Sequence, residues 1–284
     1  MDTSRAMLTN KVAIVTGAGR GLGKGIAQGL AAFGANVVIA ERKEEVAKQT
    51  EQELREQGHK ALAIVCDVRD GEQVRRMVEQ TAEELGGIDI LVNNVGGIYL
   101  GRNRPPSLPF IEMTEDFWDD SYTLNLKSLY HCTSEAARVM VRQERGGIII
   151  NVASSEAFRS APGFAPYAAY KAAIVNLTRT LALELAPDNI RVNCIAPDAI
   201  PTEALTRGFP HLAGDEAYRY HVPLARAGRP EDVAGVAVFL ASELSSFVTG
   251  VTIPVEGGML AAAGWLHHPT RGWTTDAATF QELA

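Results

Sequence analysis

Short runs of apolar residues alternate along this chain with longer stretches in which apolar positions recur every three or four residues. An unbroken apolar run bounded by turn residues suits a strand buried on both faces, and the wider spacing suits a helix with one buried stripe. Read this way, strands fall at 11–16, 36–40, 61–66, 88–92, 147–152, 190–195 and 252–255. Helices fall between them at about 22–33, 43–57, 72–85, 118–142, 165–186 and 230–242. The alternation has no linker, internal repeat or low-complexity segment, and it predicts an α/β fold: one doubly wound parallel sheet with helices on both faces. A single domain is expected over 1–258, followed by a C-terminal extension over 259–284 that packs on the domain or on a neighbouring subunit.

Composition narrows the partners. With 284 residues and 46% hydrophobic content the chain can bury a large core, and a net charge of −7 with no basic cluster argues against nucleic acid as a partner. Cys66, Cys132 and Cys194 are odd in number, far apart and set among apolar residues, so they read as reduced core thiols of a cytoplasmic protein. Residues 1–10 are polar and no apolar run approaches bilayer length, so no membrane partner is expected. His211, His221, His267 and His268 offer no converging ligand set, the adjacent pair pointing opposite ways in an extended chain, and no metal site is expected.

Two stretches carry chemistry. The first is Gly17-Ala-Gly-Arg-Gly-Leu-Gly23, between the first strand and first helix. Missing side chains there let backbone amides approach a pyrophosphate, which the helix N-terminus attracts. A glycine-rich turn alone is equally a structural turn; the flanking strand and helix favour a nucleotide. The second stretch is 151–171, where Ser154 ends a strand and Tyr167 precedes Lys171 by one helical turn. A tyrosine and a lysine at i and i+4 share one helix face, and the ammonium should lower the phenol's pKa toward that of a working acid/base. Ser154 is placed to hold a substrate oxygen.

Together, Thr16-Gly17-x-x-x-Gly21-x-Gly23, Asn93-Asn94-Val95-Gly96, Asn125, Ser154, Tyr167-x-x-x-Lys171 and Pro197 through Thr202 resemble, in order and spacing, the short-chain dehydrogenases/reductases over about residues 8–258. The resemblance implies a Rossmann-type NAD(P)-dependent oxidoreductase. It makes Tyr167 the acid/base, Ser154 the group orienting the substrate oxygen, Lys171 the holder of the nicotinamide ribose, and Asn125 the residue keeping a water in a proton relay. Cofactor contacts are implied for Gly17, Arg20, Gly21, Leu22, Gly23, Glu41, Asp67, Val68, Asn94, Gly96, Tyr167, Lys171, Pro197 and Thr202. Glu41, at the end of the second strand, can accept from the adenosine ribose and would repel a 2′-phosphate, which favours NAD; Arg20 and Arg42 could reach that phosphate and leave NADP possible. Asp67 can equally be a helix cap.

Two positions depart from the family pattern: Asp198, where glycine usually follows the proline, and Val95, where alanine is commoner. With Asp198 the loop must open slightly or the carboxylate must turn to solvent. Substrate recognition is expected from the loop at 98–110 with Arg102 and Arg104, from a lid at about 198–226, and from Phe158 and Phe164 beside Ser154 and Tyr167. These aromatics suit a bulky apolar or cyclic secondary alcohol or ketone, or else pack the lid onto the body. An NADPH-dependent 3-oxoacyl-thioester reductase is the alternative enzyme, and a non-catalytic dinucleotide sensor the alternative of another class. Trp265 and Trp273 should make the tail pack, outward Ala172, Leu181 and Leu185 suggest association through helices 118–142 and 165–186, and the family resemblance implies a homotetramer.

Overall fold

The computed structural model describes residues 2–98, 107–278 and 280. Seven parallel strands form one sheet in the order β3-β2-β1-β4-β5-β6-β7. They are β1 (Val12–Thr16), β2 (Asn36–Glu41), β3 (Ala61–Val65), β4 (Ile90–Asn93), β5 (Gly147–Val152), β6 (Ile190–Pro197) and β7 (Thr252–Val255). Val12 to Thr16 are all buried, as a run covered on both faces requires.

Helices α1 (Gly21–Ala32), α2 (Glu44–Glu56) and α8 (Pro230–Ala241) cover one face, meeting the sheet through Ile26, Leu30, Leu54 and Val233. Helices α3 (Gly71–Leu85), α5 (Ser128–Gln143) and α6 (Ala165–Glu184) cover the other, through Met77, Met140 and Ala182. The chain adds β2 and β3 on one side of β1, then crosses to place β4 on the other. The strand ends flanking that reversal open a crevice, the usual ligand position in such sheets. Thr16 Oγ1 fixes its floor, accepting from the Asn94 and Val95 amides at 2.9 and 3.1 Å.

The predicted helix 118–142 is not one α-helix. Helix α4 (Glu115–Tyr122), one turn of π-helix (Thr123–Lys127) and α5 run on without a break, the wider turn putting Asn125 at its centre. Of the three residues expected to face outward on the sixth helix, only Ala172 does so. Leu181 and Leu185 turn onto the second core, and Leu183 is the exposed leucine, at 79%.

The C-terminal segment carries a hairpin, β8 (Leu266–His268) with β9 (Gly272–Thr274). It holds the lid through the His267 amide on the Tyr220 carbonyl at 3.2 Å, and Phe280 packs on both Tyr220 and His268. Trp265 and Trp273 do not drive this packing, since both remain half exposed. Arg102, Arg104 and most of the loop after Gly97 lie outside the described residues.

Candidate active site

The glycine turn is built so that side chains cannot enter it. Gly17 and Gly21 take left-handed φ values of 64° and 52°. A Cβ on Gly23 would stand 2.2 Å from the Gly17 carbonyl oxygen and 2.5 Å from Asn94 Nδ2. No side chain caps α1, whose N-cap is Arg20, so its first amides face outward as an anion cradle. A groove of about 410 Å³ opens there, with Gly19, Arg20 and Gly21 along it, and these residues fit a dinucleotide's phosphates. Leu22 packs from the helix start onto the first core.

Glu41 closes the far side. Its carboxylate lies against the turn, 3.3 Å from where a Cβ on Gly19 would sit, and accepts from the Lys43 amide at 3.2 Å. Arg20 does not wait for a phosphate; it pairs at 3.2 Å with Glu203 at the start of α7 (Glu203–Gly208), linking the turn to the lid. Arg42 is exposed, and its charge helps hold the Asp67 carboxyl below its usual range behind the stronger effect of the Arg69 hydrogen bond. The helix cap is Asp70, which accepts from Glu72 and Gln73, so Asp67 is not the cap; Val68 beside it is buried. Thr202 caps α7 and packs its methyl 3.2 Å from a Cβ position on Gly21.

At the other end of the crevice, Ser154, Tyr167, Lys171 and Asn125 converge. Ser154 follows β5 and caps a single turn of 3₁₀-helix (Ser155–Ala157); Tyr167 and Lys171 stand one turn apart on α6. Ser154 acts on the Tyr167 phenol to lower its pKa. Lys171 is 3% exposed, donates to the Val152 carbonyl at 2.9 Å and holds its Nζ 5.6 Å from the Tyr167 ring centre. Asn125 is fully buried; it accepts from the Gly97 amide at 2.8 Å and donates to the Gly97 and Ser121 carbonyls at 3.1 and 3.0 Å. A Cβ on Gly96, whose φ is 159°, would meet Lys171 Nζ at 2.9 Å and Asn125 Oδ1 at 3.0 Å, so that glycine admits both polar ends.

The electrostatics correct one expectation. Lys171 does not bring the phenol into working range. Burial pushes Tyr167 up to about 12, with Asp198 and Glu156 adding to it and Ser154 opposing, while burial brings Lys171 down to about 8. Desolvation is the leading cause of both shifts.

Asp198 neither opens its loop nor turns to solvent. It accepts from Arg159 at 2.6 Å and from the Ala199 amide at 2.6 Å, and Ala199 absorbs the missing glycine by taking φ 54°. Arg159 also reaches Glu156 at 2.9 Å. Sequence reasoning missed Glu156 and Arg159, which carry no motif spacing. Phe164 meets Phe209 of the lid edge to face with centroids 6.0 Å apart, whereas Phe158 stays exposed at the rim.

A family profile described as enoyl-(acyl carrier protein) reductase matches residues 17–260. Dehydrogenase/reductase SDR family member 4 of Homo sapiens is 38% identical over 256 residues, 90% of each chain. The 3-oxoacyl-[acyl-carrier-protein] reductase FabG of Chlamydia muridarum is 40% identical over 255 residues, 89% of this chain and 99% of that one. Among solved structures, 7α-hydroxysteroid dehydrogenase complexed with NADH and 7-oxo glycochenodeoxycholic acid is similar with a TM-score of 0.84 at 35% identity, covering 91% of this chain and 97% of the other.

Proposed function

Because the chain belongs to the short-chain dehydrogenase/reductase family and is an oxidoreductase with a nicotinamide cofactor, we propose that it interconverts a bulky or cyclic secondary alcohol and its ketone, preferring NAD. The observation that carries this reading is the convergence of Ser154, Tyr167 and, one helical turn on, a buried Lys171 anchored on the Val152 carbonyl. Ser154 orients the substrate oxygen. Tyr167 gives its proton to that oxygen in reduction and takes it back in oxidation. Lys171, held on the Val152 carbonyl, keeps its charge at the phenol's side of the site, and Asn125, locked by Gly97 and Ser121, braces the proton path behind it.

The cradle at Gly17, Gly21 and Gly23 would hold the diphosphate, with Glu41 at the adenosine end; Asn94, Gly96, Pro197 and Thr202 border the nicotinamide end. Bound NAD would supply the hydride acceptor and, when oxidised, one positive charge to the site. Glu41 against the turn supports NAD, and Arg20 being engaged by Glu203 weakens the case for a phosphate there. The FabG relative keeps an NADPH-dependent 3-oxoacyl-thioester reductase as the second reading. Three buried free thiols fit a reducing cytoplasm.

The test is nicotinamide absorbance during turnover of steroid, alicyclic, aromatic, sugar and acyl-thioester substrates, with NAD and NADP in parallel. One class should turn over faster with NAD, and Tyr167→Phe should lose that turnover by at least about a thousandfold while binding NADH as before. Full activity in Tyr167→Phe would remove the tyrosine from the chemistry.

A further inference from the structure

Arg20 is the charged side chain of the glycine turn, and the lid holds it. Its Nη1 donates to Glu203 Oε1 at 3.2 Å and to Oε2 at 3.4 Å. Glu203 opens α7, and Arg207, one turn further on, donates to the same Oε1 at 2.8 Å, so the carboxylate is steadied from its own helix as well. The base of the lid packs directly on the turn, since a Cβ on Gly21 would stand 3.2 Å from Thr202 Cγ2. Arg20, Lys24 and Glu203 line one groove of about 410 Å³, and Lys24 pairs with Glu53 at 2.5 Å. Among the described residues lining that groove, both cations therefore already have a carboxylate partner.

We propose that Glu203 is a specificity residue for the dinucleotide: it withholds Arg20 from the 2′-phosphate of NADP, so that the preference for NAD is set from the lid as well as from Glu41. This role rests on the groove holding the adenosine half of a nicotinamide dinucleotide. On one side of the turn, the Glu41 carboxylate lies 3.3 Å from a Cβ position on Gly19, the residue before Arg20. On the other, Glu203 holds the Arg20 guanidinium. Glu41 repels a phosphate dianion, and Glu203 occupies the cation that would receive it. Glu203 is thus a positioning residue that acts through Arg20.

The size of the effect follows from exposure. The two side chains are 47% and 60% exposed, so theirs is a surface ion pair of modest strength that a phosphate can break. A phosphate that takes Arg20 gains only what exceeds the attraction of the pair it replaces. With Glu203 neutral, that competition ends, one negative charge leaves the surroundings of the phosphate, and the guanidinium fork is available to it in full. Because Glu203 rides on α7, taking Arg20 also releases the start of the lid from the turn. NAD, without the 2′-phosphate, leaves the pair intact.

The test is isothermal titration calorimetry of the full chain with ADP-ribose and with 2′-phospho-ADP-ribose, two probes that differ only in the phosphate and need no turnover. Wild type should bind ADP-ribose the more tightly. Glu203→Gln should tighten 2′-phospho-ADP-ribose by about three- to tenfold and change ADP-ribose by less than about twofold. In an Arg20→Gln background the same change should bring less than about twofold, because the coupling runs through Arg20. The gain should also shrink at about 0.5 M salt. Arg207→Gln, which keeps the Arg20 pair but loosens the other hold on Glu203, should leave both affinities within about twofold. An unmoved 2′-phospho-ADP-ribose affinity in Glu203→Gln, a gain that persists without Arg20, or an equal gain from Arg207→Gln overturns the role of Glu203. If wild type binds neither probe, the dinucleotide reading of the groove fails; if it binds ADP-ribose and Glu203→Gln changes nothing, only the role of Glu203 fails.

Discussion

Lys171 shows how one residue can cost stability for the sake of chemistry. Its burial brings the amine down to about 8 from an ordinary 10.5. Below pH 8 both folded and unfolded chains hold the proton, and the full cost of burying the ammonium is present. Between pH 8 and 10.5 the folded amine is neutral while the unfolded one is still charged; the unfolded state binds more protons, so stability rises with pH. Tyr167, pushed up to about 12 from 10.0, acts oppositely above pH 10, where the unfolded phenol gives up its proton first. Lys171→Met removes only the first effect. It should melt above wild type at pH 7, and the gap should close by up to about 3 kcal/mol between pH 8 and 10.5. Thermal melts across that range check it; a gap independent of pH means that Lys171 keeps its proton in the fold.

At the scale of elements, the glycine turn was legible and the π-turn was not. Gly17, Gly21 and Gly23 stand at fixed offsets between an apolar run and a periodic one, and spacing of that kind survives in a linear reading. The extra residue that swings Asn125 inward leaves no trace in apolar periodicity, because helix continues on both sides of Thr123–Lys127. Arg159 and Asp198 escaped for another reason: they lie 39 positions apart and meet only because β5 and β6 are neighbours. Asp198 was noticed as an odd residue, but its partner could not be found from sequence. The turn gives the sharper prediction. A methyl on Gly23 meets the Gly17 carbonyl oxygen at 2.2 Å, a backbone atom that cannot yield as the end of a flexible side chain would. Gly23→Ala should destabilise by about 1–3 kcal/mol and weaken NADH binding by more than tenfold, read by thermal melting and by fluorescence titration of NADH. Unchanged affinity would mean that the cradle does not hold the diphosphate.

At the scale of the whole molecule, the helical layer over one face of the sheet keeps large apolar residues exposed on its outer side. Helices α5 and α6 seal the second core through Cys132, Ala136, Met140 and Ala182, yet they also send apolar residues away from it. Tyr130 on α5 is 60% exposed and Leu183 on α6 is 79% exposed, with Val141 also outward. A lone exposed leucine is ordinary, but several large apolar residues on one pair of adjacent helices favour a covering partner. We infer that a second copy supplies it, each chain laying the same pair against its neighbour's, as closed symmetric assemblies do. Light scattering should return about four times the 30.5 kDa of one chain. Burying a leucine contributes roughly 1.5–3 kcal/mol and a symmetric interface counts it twice, so Leu183→Glu, which adds a carboxylate facing its own copy, should shift that mass to smaller species at micromolar concentration. Because Leu183 points away from Tyr167 and its own core, the variant's melting curve should keep its cooperativity. A tetramer indifferent to Leu183→Glu would move the interface to another face, and a wild-type monomer would leave these residues as plain surface.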